Sequence, residues 1–141
     1  YTLTAVLHKE DDMYVAECPE VGTVSQGHTL EEAVKNLKEA TELYLEEFPI
    51  DNDRRSIITT FEVVPAAKSR EISGEKVVKI LCNNFGFELS GQSGGHVRLS
   101  KRSYGTKIGT VVPMHDELKP GTLHGILKLA RIDPEEFDQY L

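Results

Sequence analysis

Residues 85–113 read FGFELSGQSGGHVRLSKRSYGTKIGTVVP, and this stretch decides how the second half of the chain folds. Phe87 to Ser90 reads as a strand, followed by a loop at Gly91-Gln92-Ser93-Gly94-Gly95. His96 to Lys101 reads as the next strand, polar and apolar residues alternating from His96 to Ser100, the period of a strand with one buried face. Ser103-Tyr104-Gly105 turns the chain, and Lys107 to Pro113 returns it. The alternation puts His96, Arg98 and Ser100 on one face, and Val97 and Leu99 on the other.

Working outward, Ser73 caps a helix to about Asn84, with Val77, Val78, Leu81 and Phe85 on its apolar face and Gly86 as its stop. On the other side, Pro120-Gly121-Thr122 opens a helix that turns Leu123, Ile126, Leu127 and Ala130 inward. Asp133-Pro134-Glu135-Glu136 begins a last helical piece: a cap, a proline at the first position and acids at the positive end. The expected order is helix, three strands, helix.

The first half has different punctuation. Tyr1 to Leu7 alternates as a strand, Glu10-Asp11-Asp12 is a turn, Met13 to Glu17 returns, and Val21 to Gln26 is a third strand. Thr29 and Glu32 then form a capping box. Leu30, Ala33, Val34, Leu37, Ala40, Thr41, Tyr44 and Phe48 make one helical face, and Pro49 ends it. Ile57 to Val64 is β-branched and aromatic and predicts a fourth strand, so the expected order is βββαβ. Three segments follow: a first domain at 1–65, a linker at 66–71 and a second domain at 72–141.

The chain of 141 residues carries a net charge of −7, unevenly spread. Residues 1–68 hold six Lys/Arg against fourteen Asp/Glu, a balance of −8. Residues 69–131 hold ten against five, a balance of +5, and the ending 132–141 holds four Asp/Glu and no Lys/Arg, a balance of −4. Each half can therefore serve as the other's counter-ion, and the basic half attracts polyanions. No apolar run reaches the ~18 residues of a membrane span, and no secretory leader is expected. Cys18 and Cys82 make neither a zinc spacing nor a disulfide framework, which suits a cytoplasmic protein. No cofactor or metal is expected: His115-Asp116 lacks further spaced ligands.

Two resemblances sharpen this reading. Tyr14-Val15-Ala16, the run Ser25-Gln26-Gly27-His28-Thr29-Leu30-Glu31-Glu32-Ala33 and the helix ending Leu43-Tyr44-Leu45-Glu46 resemble HicB antitoxins over about residues 1–65. That resemblance implies a partial ribonuclease-H-like fold. The first strand has no central acid, so this half is expected to be non-catalytic. Nothing resembles the DNA-binding segment that HicB proteins usually add, so DNA is not an expected partner.

Residues 72–137 resemble HicA toxins, which cleave messenger RNA. The matching pieces are Ser73-Gly74, Asn84-Phe85-Gly86-Phe87, Gly95-His96, Val111-Val112-Pro113-Met114-His115 and Leu118-Lys119-Pro120-Gly121-Thr122-Leu123. The resemblance implies a double-stranded-RNA-binding-like αβββα fold and a catalytic role for His96. The family histidine follows a Gly-Ser pair, and here the pair is Gly94-Gly95.

The chemistry agrees with that assignment. RNA carries its own nucleophile, the 2′-hydroxyl, and a histidine near neutral pKa can move its proton. Arg98, Lys101, Arg102, Lys107 and Lys119 are the cations expected to hold RNA phosphates. The N-terminus of the helix at Pro120 offers further N–H donors to an anion. His115 is a weaker second candidate for acid–base work, while His8, His28 and His124 read as surface residues. The expectation is an antitoxin–toxin fusion: an endoribonuclease acting on mRNA, covered by the acidic half within one chain or between the chains of a homodimer. The competing reading is a module that binds RNA or protein without turnover, in which His96 is structural and the basic hairpin only a solvated face.

Overall fold

A computed structural model describes residues 2–50, 56–61 and 71–141. The first half forms a meander of β1 (Val6–Glu10), β2 (Met13–Glu17) and β3 (Val24–Gly27), followed by α1 (Leu30–Leu45). β1 and β2 pair antiparallel from Val6 opposite Glu17 to Glu10 opposite Met13, and β2 pairs antiparallel with β3. Thr29 caps the helix as expected: its hydroxyl accepts the Glu32 N–H at 3.0 Å.

The second half runs α2 (Gly74–Asn84), β4 (Glu88–Ser93), β5 (His96–Ser103), β6 (Thr106–Pro113), α3 (Pro120–Leu129) and α4 (Pro134–Asp138). β4, β5 and β6 form a second antiparallel sheet in chain order. Ser73 caps α2 and Asp133 caps α4, each through its side-chain oxygen. The molecule is thus a mixed α and β protein with two three-stranded antiparallel sheets.

Three expectations shift. The first strand begins at Val6 rather than Tyr1, because β2 has no residues left to pair with residues 2–5. The strand at 87–90 extends through the expected loop to Ser93, since Gly94 takes φ 54 and makes the turn alone with Gly95. The fourth strand of the first half does not form over residues 56–61, and residues 62–64 lie outside the described residues, as do 66–70 of the expected linker. Ile57 and Phe61 are 92% and 84% exposed. Their β-propensity has no neighbouring strand to act on, and propensity without a ladder does not make a strand.

The two halves share part of their cores. Val15 of β2 and Val24 of β3 belong to the same apolar cluster as Val77, Leu81, Leu99, Val112, Ile126 and Phe137. On α1, Ala33 and Leu37 pack against the first sheet, while Ala40 and Leu43 pack with Val111 of β6. Alternation along β6 therefore buries Val112 under α2 and α3, and Val111 under α1. The second sheet is covered on both faces, and one cover comes from the other half.

Gly125 of α3 marks how close that approach is: a methyl group there would meet Val24 Cγ1 at 2.7 Å. Gly125→Ala should cost about 1–3 kcal/mol by overpacking the seam. Chemical denaturation checks it, and the shared core predicts one transition for both halves. Two separated transitions would show that the halves fold independently.

Candidate active site

His96 opens β5, opposite Ser93 of β4 and Pro113 of β6. Its ring lies on the sheet face that α1 and β3 cover, and only 2% of the residue is exposed. Burying an imidazole requires partners for both ring nitrogens. Both partners come from the first half. Nδ1 donates to Glu39 Oε1 of α1 at 3.0 Å, and Nε2 shares a hydrogen bond with Ser25 Oγ of β3 at 2.8 Å. A carboxylate, an imidazole and a hydroxyl in series have the connectivity of a hydrolytic triad. Ser25 is wholly buried, so no substrate carbonyl reaches it while the halves are packed.

Arg98 lies on the same face, two residues on. Its Nη1 donates to the Leu43 carbonyl at 2.7 Å, at the negative end of α1, and its Nε lies 3.6 Å from Glu47 Oε1. Lys107 pairs with Glu47 Oε2 at 3.4 Å. Burial alone would raise the Glu47 pKa; the Ser90 hydroxyl, Arg98 and Lys107 outweigh it and hold the carboxyl below its ordinary 4.5.

Lys119 is 5% exposed, with Asp11, Asp12 and Glu117 carboxylates at 3.5, 3.3 and 3.3 Å from Nζ. Burial opposes its charge, yet Asp12 and Glu117 prevail and raise its pKa above the ordinary value. At the start of α3 the Gly121 N–H donates to Glu10 Oε1 at 2.8 Å. The anion expected at this helix N-terminus is thus a carboxylate from the β1–β2 hairpin.

His115 is half-buried. Its Nδ1 accepts from Gln26 Nε2 at 2.9 Å, which leaves the proton on Nε2. Burial, reinforced by His96, holds its pKa below the ordinary value.

The sequence-predicted residues do not form one open patch. His96, Arg98, Lys107 and Lys119 all meet first-half acids or carbonyls. Lys101 points to the other face, where Nζ donates to the Phe85 carbonyl at 2.9 Å and sits over the Phe87 ring. Arg102 is exposed at the hairpin end. A cleft of about 560 Å³ along the seam is lined by Glu17, Lys107, Lys128 and Arg131 rather than by His96. Among the described residues no cluster of His, Cys, Asp and Glu could hold a metal ion. Nor, among the described residues, is any helix long and apolar enough to cross a membrane.

Sequence reasoning missed Ser25, Gln26, Glu39, Glu47 and Glu10 as site residues. The charge asymmetry signalled an acidic cover without indicating which acids supply it.

A family profile described as HicA toxin of bacterial toxin–antitoxin matches residues 74–132. A UPF0150 protein of Helicobacter pylori is 39% identical over 67 residues, which is 43% of this chain and 93% of the relative. The chain belongs to the UPF0150 family. A second UPF0150 protein, from Synechocystis, is 52% identical over 48 residues, 33% of this chain and 61% of that relative. No solved structure matches. The HicA match runs from α2 through α3 and so includes His96 and His115. It assigns this part of the chain to the toxin–antitoxin class, whose toxins act on RNA and pair with antitoxins.

Within the HicA match, Gly95 has nothing within 4 Å of where a side chain would begin, and its φ is not in the left-handed region. Gly95→Ser, which restores the family hydroxyl, should change stability by less than ~0.5 kcal/mol. A drop of several degrees in melting temperature would show a hidden constraint.

Acid should loosen the fold. Glu47 is held below 4.5, and Glu20 falls to about 2 because the Thr4 hydroxyl and N–H outweigh the effect of burial. A depressed carboxylate stabilises fully above its unfolded pKa and loses that contribution as pH falls through its folded one. His115, held below 6.5, acts in the same sense, so stability should begin to decline as pH falls below 6.5 and fall further from 4.5 towards about 2. Urea midpoints against pH test this, and a midpoint unchanged at pH 3 would contradict it.

Proposed function

We propose that the chain is an antitoxin–toxin fusion in which residues 72–141 cleave mRNA, with His96 as the catalytic group, and residues 1–65 inhibit them. The observation that carries this reading is the pair of contacts on His96: both ring nitrogens are occupied by side chains from the acidic half. A catalytic imidazole needs a free nitrogen facing the 2′-hydroxyl, and Ser25 Oγ stands on Nε2 where such a hydroxyl would bind.

With the first half displaced, Nε2 takes the 2′-hydroxyl proton. The 2′-oxygen–phosphorus bond forms, the bond to the 5′-oxygen breaks, and the departing oxygen is protonated in turn. The products are a 2′,3′-cyclic phosphate and a 5′-hydroxyl. Arg98, Lys107 and Lys119, freed from Glu47 and the 10–12 hairpin turn, grip the phosphates. Lys101 and Arg102 extend the cationic surface at the hairpin. Inhibition combines steric cover with competition, since the acidic residues occupy cations that a polyanion would use. The contacts described here lie within one chain; the same seam closed between two chains would give a homodimer by exchange.

The intact chain should not cut RNA at physiological salt. Full-length chain carrying Glu10→Lys and Glu39→Lys should cut it, because both changes set like charges against the second half. In that background His96→Gln should lower cleavage by at least ~10²-fold, and a chelator should leave it unchanged. Product ends read by gel and mass spectrometry check the chemistry. Cleavage by the unaltered chain would refute inhibition, and cleavage that survives His96→Gln would refute the catalytic assignment.

A further inference from the structure

Gln26 is the most unusual contact across the seam. Its side chain is wholly buried, although it belongs to a short strand in the first half. The carboxamide enters the loop between β6 and α3 and makes three hydrogen bonds there. Nε2 donates to the Glu117 carbonyl at 2.9 Å and to His115 Nδ1 at 2.9 Å. Oε1 accepts the Lys119 N–H at 3.1 Å. The orientation of the amide is fixed by chemistry: a main-chain N–H only donates and a main-chain carbonyl only accepts, so oxygen and nitrogen cannot exchange places.

The loop therefore presents two acceptors to one nitrogen and one donor to the neighbouring oxygen. What satisfies it is an amino group that donates twice, one atom away from an acceptor. That pattern also occurs on nucleobases. Adenine carries its N6 amine beside unprotonated N1, and cytosine its N4 amine beside unprotonated N3. Uracil has no amine. Guanine's amine adjoins N1–H on its pairing edge, and that donor would face the Lys119 N–H; its other neighbour, N3, lies on the side of the ribose.

The neighbouring residue extends the parallel. Ser25 places a hydroxyl 2.8 Å from His96 Nε2, and Gln26 places its carboxamide in the loop. The Met114 N–H donates to the Gly95 carbonyl at 2.7 Å, which holds the start of this loop beside His96, so hydroxyl and amide fill adjoining sites, as a ribose hydroxyl and a base do in one short piece of RNA. We infer that the loop His115–Lys119 is a base-reading subsite beside His96, selective for adenine or cytosine, and that β3 occupies it as a nucleotide mimic. The inference rests on the reading of the second half as an RNA-cleaving domain, and gives that site its sequence preference.

The recognising groups are mostly main chain, at Glu117 and Lys119, with His115 accepting through Nδ1. The inhibitor's side of the contact is a single side chain, Gln26. Removing it should weaken the cover while leaving the subsite intact.

The test uses full-length chain in two forms: Gln26→Ala, and Glu10→Lys with Glu39→Lys, which opens the seam without touching the loop. Folding of each is checked by its backbone amide spectrum, and the double variant decides if Gln26→Ala does not fold. The probes are the 5′-monophosphates of adenosine, cytidine, guanosine, uridine and N6,N6-dimethyladenosine. Binding is followed on the amide signals of Glu117 and Lys119. Adenosine or cytidine monophosphate should bind about tenfold or more tighter than the other three. Unaltered chain should bind them more weakly than either variant, because Gln26 holds the subsite. Equal binding of all five, a preference for uridine or guanosine, or no binding to a folded variant would overturn the subsite. Cleavage of a mixed RNA by the double variant separates this from the reading beneath it. Cutting without base preference removes the subsite and leaves the nuclease, whereas selective binding without cutting leaves the subsite and removes the nuclease.

Discussion

A histidine that is 2% exposed must have both ring nitrogens satisfied, and in this protein that requirement ties the two halves together. Neither β4 nor β6 supplies the partners. Glu39 comes from α1 and Ser25 from β3, so the imidazole stays buried only while the first half is in place. The seam around it follows from that need. Arg98 caps the carbonyl end of α1, Glu47 joins Arg98 and Lys107, and the 10–12 hairpin turn meets Lys119 and the start of α3.

Polar contacts of this kind give specificity more readily than net stability, because each charge loses its hydration on burial. The stability of the seam comes from its apolar part. Val15 and Val24 sit in the core of the second half, and Val111 sits under Ala40 and Leu43 of the first. Gly125 lets α3 approach β3 closely enough for Val24 to pack. The apolar contacts hold the halves together, and the polar ones fix their register so that Ser25 and Gln26 face His96 and His115.

Much of the fold was legible locally. Thr29 and Glu32 announce α1, Ser73 announces α2 and Asp133-Pro134 announces α4, because a cap is satisfied by residues a few positions away. The alternation from His96 to Leu99 set the two faces of β5, because strand geometry has period two. The strand expected from Ile57 onward shows the limit: such residues suit a sheet, but only a neighbouring strand makes them one, and none among the described residues meets residues 57–61.

By itself the sequence determined the helices and most of their caps, the faces of β5, the polyanion-seeking charge of residues 69–131 and the placing of His96 among polar rather than apolar side chains. These depend on chain periodicity, on near neighbours and on composition. What covers His96 was decided only by the tertiary structure. Ser25, Gln26, Glu39 and Glu10 lie 71, 89, 57 and 111 residues from the groups they contact, and no local pattern encodes such pairings. The sequence showed a polar face carrying a histidine, and only packing α1 and β3 against that face buried it, because a sheet strand specifies which way its side chains point but not what meets them.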